Sequence, residues 1–201
     1  MSAQDLNKAS VDVPGVTLRL AIADDLDAIM GIERPVFGHE AWSDEMMRRD
    51  MADANCHYLV GELVGSGQVV GYAGLLCAPG SGEGDIQTIA VSPLVRGRGL
   101  GRALMIELIA EAGRRGANRL FLEVRADNPT AIALYRTLDF REVGVRAGYY
   151  QPDNVDALTM RLEPVPGGPA ARSLGPIGSE VIGAGAAESA PVGTWPKDGA
   201  C

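Results

Sequence analysis

One stretch of this chain has residue types and spacing suited to gripping phosphate. It is Arg96-Gly97-Arg98-Gly99-Leu100-Gly101-Arg102, set between an apolar run, Ile86–Val91, that stops at Ser92-Pro93 and a long segment with helical periodicity. Strand, glycine-rich turn and helix in that order present unpaired backbone N–H groups at a helix mouth, where the dipole also favours negative charge. Glycines let a ligand approach the backbone without a Cβ in the way. Two common phosphate motifs do not fit. A dinucleotide fingerprint would place a third glycine where Arg102 stands, and a Walker loop needs a lysine that is absent nearby. What is present is R-x-x-G-x-G, from Arg96 to Gly101. These residues point to a phosphate-bearing cofactor.

The surrounding elements must hold that loop. Val16–Ala21 alternates like a strand, and Ala23 to about Arg34 has helical spacing through Leu26, Ile29 and Met30, with Pro35 expected to break it. Ser43 is a plausible N-cap for a second helix carrying Met46, Met47 and Met51. His57–Val64 and Gln68–Cys77 read as a hairpin about Gly65-Ser66-Gly67, and Pro79–Gly84 as a loop before the Ile86–Val91 strand. A long helix follows from about Gly99 to Arg115, ended by Gly116. Arg119–Val124 is a strand, and Asn128-Pro129 opens a short helix with Asn128 as N-cap. Arg141–Arg146 and Asp156–Leu162 close the order as two strands around a Tyr149-Tyr150 loop. The expected class is α/β (α+β): a mixed central sheet of about seven strands with helices on both faces.

Bulk properties set outer bounds. The 201 residues suit one domain with a flexible N-terminus (1–14) and a tail (163–201) that holds half of the 12 prolines and no hydrophobic periodicity. Trp195 is the tail's aromatic. No apolar run nears the ~20 residues that span a bilayer, and no signal segment is visible, so a cytoplasmic protein without membrane contact is expected. Three scattered cysteines and two separated histidines suggest neither a disulfide framework nor a metal site. The net charge is −8, concentrated in residues 1–60 with 11 acids against 5 bases. That balance argues against direct nucleic-acid binding and leaves two readings open, a solvated acidic surface or an acidic side that attracts a basic partner.

Gly84–Leu162 resembles the RimI branch of the GNAT acetyltransferases, which acetylate the N-terminal alanine of ribosomal protein. The runs that carry the likeness are IAVSPLVRGRGLGRALM, LFLEVRADNPTAIALYRTLDF, VRAGYYQ and DALTMRL, while Ala41-Trp42-Ser43 resembles an early Trp-Ser pair of that branch. The resemblance implies acetyl-CoA as cofactor. It implies pyrophosphate binding by Arg96, Gly97, Arg98, Gly99, Leu100, Gly101 and Arg102, pantetheine pairing along Ile89, Ala90 and Val91, and a cofactor contact from Asn128. It makes Glu123 the base and Tyr135 the acid that protonates the leaving thiolate, close to the cofactor. It places the peptide against Trp42, Glu123, Tyr149 and Tyr150.

Acyl transfer to an amine needs a neutral nucleophile, a polarised thioester carbonyl and a proton for the thiolate. An α-amine, with a pKa of ~8 against ~10.4 for lysine, is already partly neutral near pH 7. Glu123 is an unusual charge within a strand; it shares a face with Phe121 and Arg125, and pairing with Arg125 is the competing reading. Asp139 stands where the family has glycine at the end of the short helix, a position expected to need positive φ. The implied partner is a basic ribosomal protein N-terminus. A small-amine or lysine acetyltransferase, or a non-catalytic acyl-CoA-binding module, remains an alternative.

Overall fold

The computed structural model describes residues 13–173. Seven strands form one sheet in the order β1-β2-β3-β4-β5-β7-β6. They are β1 (Val16–Leu20), β2 (Cys56–Leu63), β3 (Val69–Leu76), β4 (Glu83–Val91), β5 (Arg119–Arg125), β6 (Arg141–Tyr150) and β7 (Val155–Leu162). Every neighbouring pair is antiparallel except β4 and β5. Helices α1 (Leu26–Phe37) and α2 (Asp44–Ala52) cover one face, and α3 (Leu100–Arg114) and α4 (Pro129–Arg136) the other. A short α5 (Pro169–Ser173) follows.

Two apolar layers hold the sheet. Leu104, Leu108 and Ile109 of α3 pack with Leu75, Leu120 and Met160. Ile29 and Met30 of α1 pack with Met47, Val60 and Tyr72. Each fully buried aliphatic side chain contributes ~1.5–3 kcal/mol. The helix ends follow local chemistry. Ser43 Oγ accepts from Met46 N at 3.2 Å, and Asn128 Oδ1 accepts from Ala131 N at 3.1 Å. Gly116, at φ +90°, closes α3 with the paired bonds Ala117 N→Ala112 O and Gly116 N→Gly113 O. Asp139 takes the left-handed conformation at φ +65°, as its place at the end of α4 demands.

Four local expectations are corrected. Pro35 does not break α1, which continues to Phe37. In the last turn proline removes one backbone bond, and Val36 and Phe37 still pack on the sheet. Strand β4 starts at Glu83, because Glu83 and Gly84 pair in parallel with Arg119 and Leu120. Tyr149 and Tyr150 end strand β6 and form no loop. Packing also continues past Leu162: Val165 is fully buried, its N–H bonds Asn118 O, and Ala170 N bonds Asn118 Oδ1. Long-range partners decide the start of β4 and the packing of Val165, and the hairpin pair Tyr150↔Val155 decides the end of β6. The rest of the tail, with Trp195, and residues 1–12 lie outside the described residues.

Candidate active site

The parallel pair β4–β5 supplies the opening. Their register runs only from Glu83↔Arg119 to Ile86↔Leu122. Beyond Ile86 the two strands diverge. On its other side β4 stays paired with β3 through Ala73↔Ile89 and Gly71↔Val91, with a bulge at Gln87 where the register slips between Gly74 and Leu75. The backbone of Gln87–Val91 therefore borders a gap that β5 does not fill. That gap continues into one cleft of about 1410 Å³.

At one end stands the mouth of α3. Its N-cap, Gly99, has φ +88°, and Gly97 has φ +76°; a Cβ at either would meet no atom within 4 Å. Both glycines answer to backbone conformation, and the space above them is open. No side chain caps the helix, so its first N–H groups face the cleft without an internal partner. The mouth is fixed from below by Leu100, which is 1% exposed and lies on Gly61 and Gly71; a Cβ on either glycine would come within 2.9 Å of it. Arg96 reaches back to Val91 O at 3.2 Å, and Arg102 to Thr137 Oγ1 at 2.7 Å.

Further along the cleft lie Tyr135 and Glu123. Tyr135, 6% exposed, tilts against Phe140 with centroids 6.1 Å apart. Burial pushes its phenol up to about 12, so it is protonated at neutral pH. Among the described residues its hydroxyl has no hydrogen-bond partner, and it lines the cleft. Glu123 Oε1 accepts from Arg146 Nη1 at 2.8 Å, with the carboxylate about one-third exposed. The competing reading, a pair with Arg125, does not form; Arg125 is taken by Glu40, Asp127 and Asp153. Strand order explains this, since Arg146 on β6, paired with Ala157, reaches diagonally across β7 to Glu123 on β5, whose own cross-strand neighbour is Thr159.

The far rim is built by Trp42 on one side and Tyr149 and Tyr150 on the other. The two tyrosine rings meet edge to face at 5.1 Å, and the Arg146 guanidinium lies 4.1 Å from the Tyr149 ring centroid. Trp42 is held by its backbone: its N–H donates to Glu33 Oε1 at 2.9 Å, and Glu33 also accepts from the Tyr72 hydroxyl, which lies 3.2 Å from Thr88 Oγ1. Glu33 is 1% exposed and Thr88 8%, so this is a buried polar network satisfied from three elements.

The structure thus brings Trp42, Ile89, Ala90, Val91, Arg96, Gly97, Gly99, Leu100, Gly101, Arg102, Glu123, Asn128, Tyr135, Tyr149 and Tyr150 onto one cleft. Arg98 is the exception: it is exposed and does not line it. Arg146, Glu33 and Asp85 join the site without a sequence signal, and Arg125, considered in the sequence only as a partner for Glu123, joins it through other carboxylates. Arg146 finds Glu123 through strand order, and Arg125 finds Glu40 and Asp153 in turns distant in sequence.

The model of the Acetyltransferase (GNAT) family matches residues 26–140. The chain is 38% identical over 157 residues to the N-alpha-acetyltransferase RimI of Mycobacterium tuberculosis, covering 77% of this chain and 96% of that protein. The chain belongs to the GNAT family of acetyltransferases. To the [ribosomal protein bS18]-alanine N-acetyltransferase of Escherichia coli K12 it is 36% identical over 140 residues, covering 69% of this chain and 90% of the relative. The crystal structure of the Escherichia coli ribosomal-protein-S18-alanine N-acetyltransferase superimposes with a TM-score of 0.66 at 33% identity, covering 74% and 94% of the two chains. A phosphinothricin acetyltransferase from Sinorhizobium meliloti in complex with acetyl-CoA matches with a TM-score of 0.65 at 27% identity, over 78% and 91%. The chain is therefore an acetyltransferase of the GNAT fold that uses acetyl-CoA. Among the described residues no helix is long and apolar enough to cross a membrane.

Proposed function

We propose that this enzyme acetylates the N-terminal α-amine of a cytoplasmic protein, with an alanine- or serine-starting basic ribosomal protein as its substrate. The relatives named for that reaction on ribosomal protein S18 support the assignment. The observation that carries it is the uncapped mouth of α3, opening into a cleft that leads directly to a free phenol and a carboxylate.

This placement supports the residue roles that the family resemblance implies. The N–H groups at the start of α3, with Gly97 and Gly99 as spacers and Arg96 and Arg102 beside them, suit the diphosphate of acetyl-CoA. Arg98 is left at the solvent edge. The exposed edge of β4 from Ile89 to Val91 suits the amides of the pantetheine arm, as a strand would pair there. Asn128 serves first as the N-cap of α4 and stands on the same wall of the cleft. When bound, acetyl-CoA supplies the activated acetyl group. Glu123 takes the proton from the incoming ammonium, directly or through water, and Tyr135 holds the proton that the departing sulfur needs. An α-amine needs only a weak base, which a partly exposed carboxylate can be. The acidic first third of the chain suits a basic substrate.

Steady-state kinetics of Glu123→Gln and Tyr135→Phe test these roles. Each is expected to lower kcat by ~10²–10⁴ with acetyl-CoA affinity retained. Wild-type turnover in both variants removes the roles.

A further inference from the structure

We propose that Arg125 is a clasp that sets the width of the substrate rim, and is thus a positioning residue for the first residues of the acceptor peptide. The proposal rests on the N-terminal acetyl-transfer reading and adds a residue that the reading does not use.

Arg125 is the last residue of β5, two places after Glu123 and on the same face. Its guanidinium gathers its own following turn and two turns that are remote in sequence. Nη1 donates to Glu40 Oε1 at 2.5 Å, in the turn between α1 and α2. Nε and Nη2 each donate to Asp127 at 3.0 Å, in the turn between β5 and α4. Nη2 also lies 3.2 Å from Asp153 Oδ2, in the turn between β6 and β7. The Cζ atom stands 5.2 Å from the centroid of the Tyr150 ring. Only a planar fork can serve a bidentate carboxylate, two further carboxylates and a ring face at once. The side chain is 24% exposed and that of Glu40 11%, while Asp127 and Asp153 are about half exposed, so the pair with Glu40 is the shielded arm of the hub and the one least screened by solvent.

The position of the hub gives it a function. Glu40 sits beside Trp42 on one lip of the cleft, and Tyr150 stands on the other; both, with Arg125, line it. The guanidinium therefore ties lip to lip next to Glu123. An acceptor N-terminus reaching Glu123 must pass between those lips, and a tied opening of fixed width admits small first side chains better than large ones. The same hub disposes of a metal at this place. His39, Glu40 and Asp153 bring ligand atoms within 4.8 Å of one another, but both carboxylates already face the permanent cation of Arg125.

The test uses the full-length enzyme and two basic peptides that differ only in starting with alanine or leucine. Arg125→Lys keeps the charge and loses the fork; Glu40→Gln releases one lip from an external turn and leaves the core intact. With Arg125→Lys the KM for the alanine peptide is expected to rise roughly tenfold with the KM for acetyl-CoA unchanged, and the alanine-over-leucine ratio of kcat/KM to fall several-fold. Glu40→Gln is expected to shift both in the same direction by less. An unchanged peptide KM and unchanged ratio overturn the clasp. So does a loss in which acetyl-CoA and peptide KM rise together with a lowered Tm, which marks general damage. Wild-type enzyme that transfers to neither peptide overturns the acetyl-transfer reading itself, and the clasp with it.

Discussion

Glu123 meets a cation before any substrate arrives. Arg146 holds one carboxylate oxygen while its own guanidinium lies on the Tyr149 ring, so base and rim are mechanically joined. Arg146→Ala is expected to lower kcat at least tenfold, with partial recovery in added guanidinium chloride and no change in acetyl-CoA affinity. Failure of rescue together with normal kcat refutes that link. Asp85 offers a second check at this scale. Among the described residues it makes no hydrogen bond or ion pair. Its carboxyl is pushed up to about 6, by burial first and then by the charges of Glu83 and Glu123. A carboxyl whose folded value lies above its unfolded one costs stability when ionised. The cost is full above about pH 6 and fades as pH falls towards 4. Asp85→Asn should therefore raise stability by ~1–2 kcal/mol near pH 8 and by much less near pH 5, read by thermal unfolding at both.

The helix α3 turns a sequence motif into a binding surface, and its seat matters as much as its glycines. Leu100 rests on two glycines of the sheet; a methyl on Gly71 would come 2.9 Å from Leu100 Cδ2 and 3.2 Å from Ala90 O. Gly71→Ala is expected to shift the helix mouth, weakening acetyl-CoA binding and lowering stability by ~1–3 kcal/mol; calorimetry and thermal unfolding check both. The glycine loop, the caps at Ser43 and Asn128 and the left-handed Asp139 were legible because each is decided by neighbours in sequence. The start of β4 and the packing of Val165 on Asn118 were not, because each depends on a partner tens of residues away, and the extension of β6 through Tyr150 was not, because it rests on the pairing Tyr150↔Val155 across the turn to β7. Glu123 stood out as a charge within a strand and Tyr135 as a tyrosine on the inner face of a short helix, and the family resemblance implied their roles. Their surroundings were not legible, since Arg146 finds Glu123 only through the order β5-β7-β6.

Over the molecule as a whole, the charge is arranged around the cleft. The α1–α2 side supplies Glu40, Asp50 and Asp53 to its walls with Arg49 among them, a net negative set, while Arg96 and Arg102 stand at the α3 end. One pole suits an anionic cofactor and the other a basic peptide. Added salt should raise the KM for a basic peptide more than that for a neutral peptide of equal length, because screening acts on the long-range term. The most direct measurement maps the acetyl group by mass spectrometry on a basic, alanine-starting peptide that also carries an internal lysine, incubated with enzyme and acetyl-CoA. The acetyl group is predicted on the α-nitrogen alone, with no transfer once that nitrogen is blocked. Acetylation of the lysine in the blocked peptide, or no transfer to the free one, would contradict the assignment.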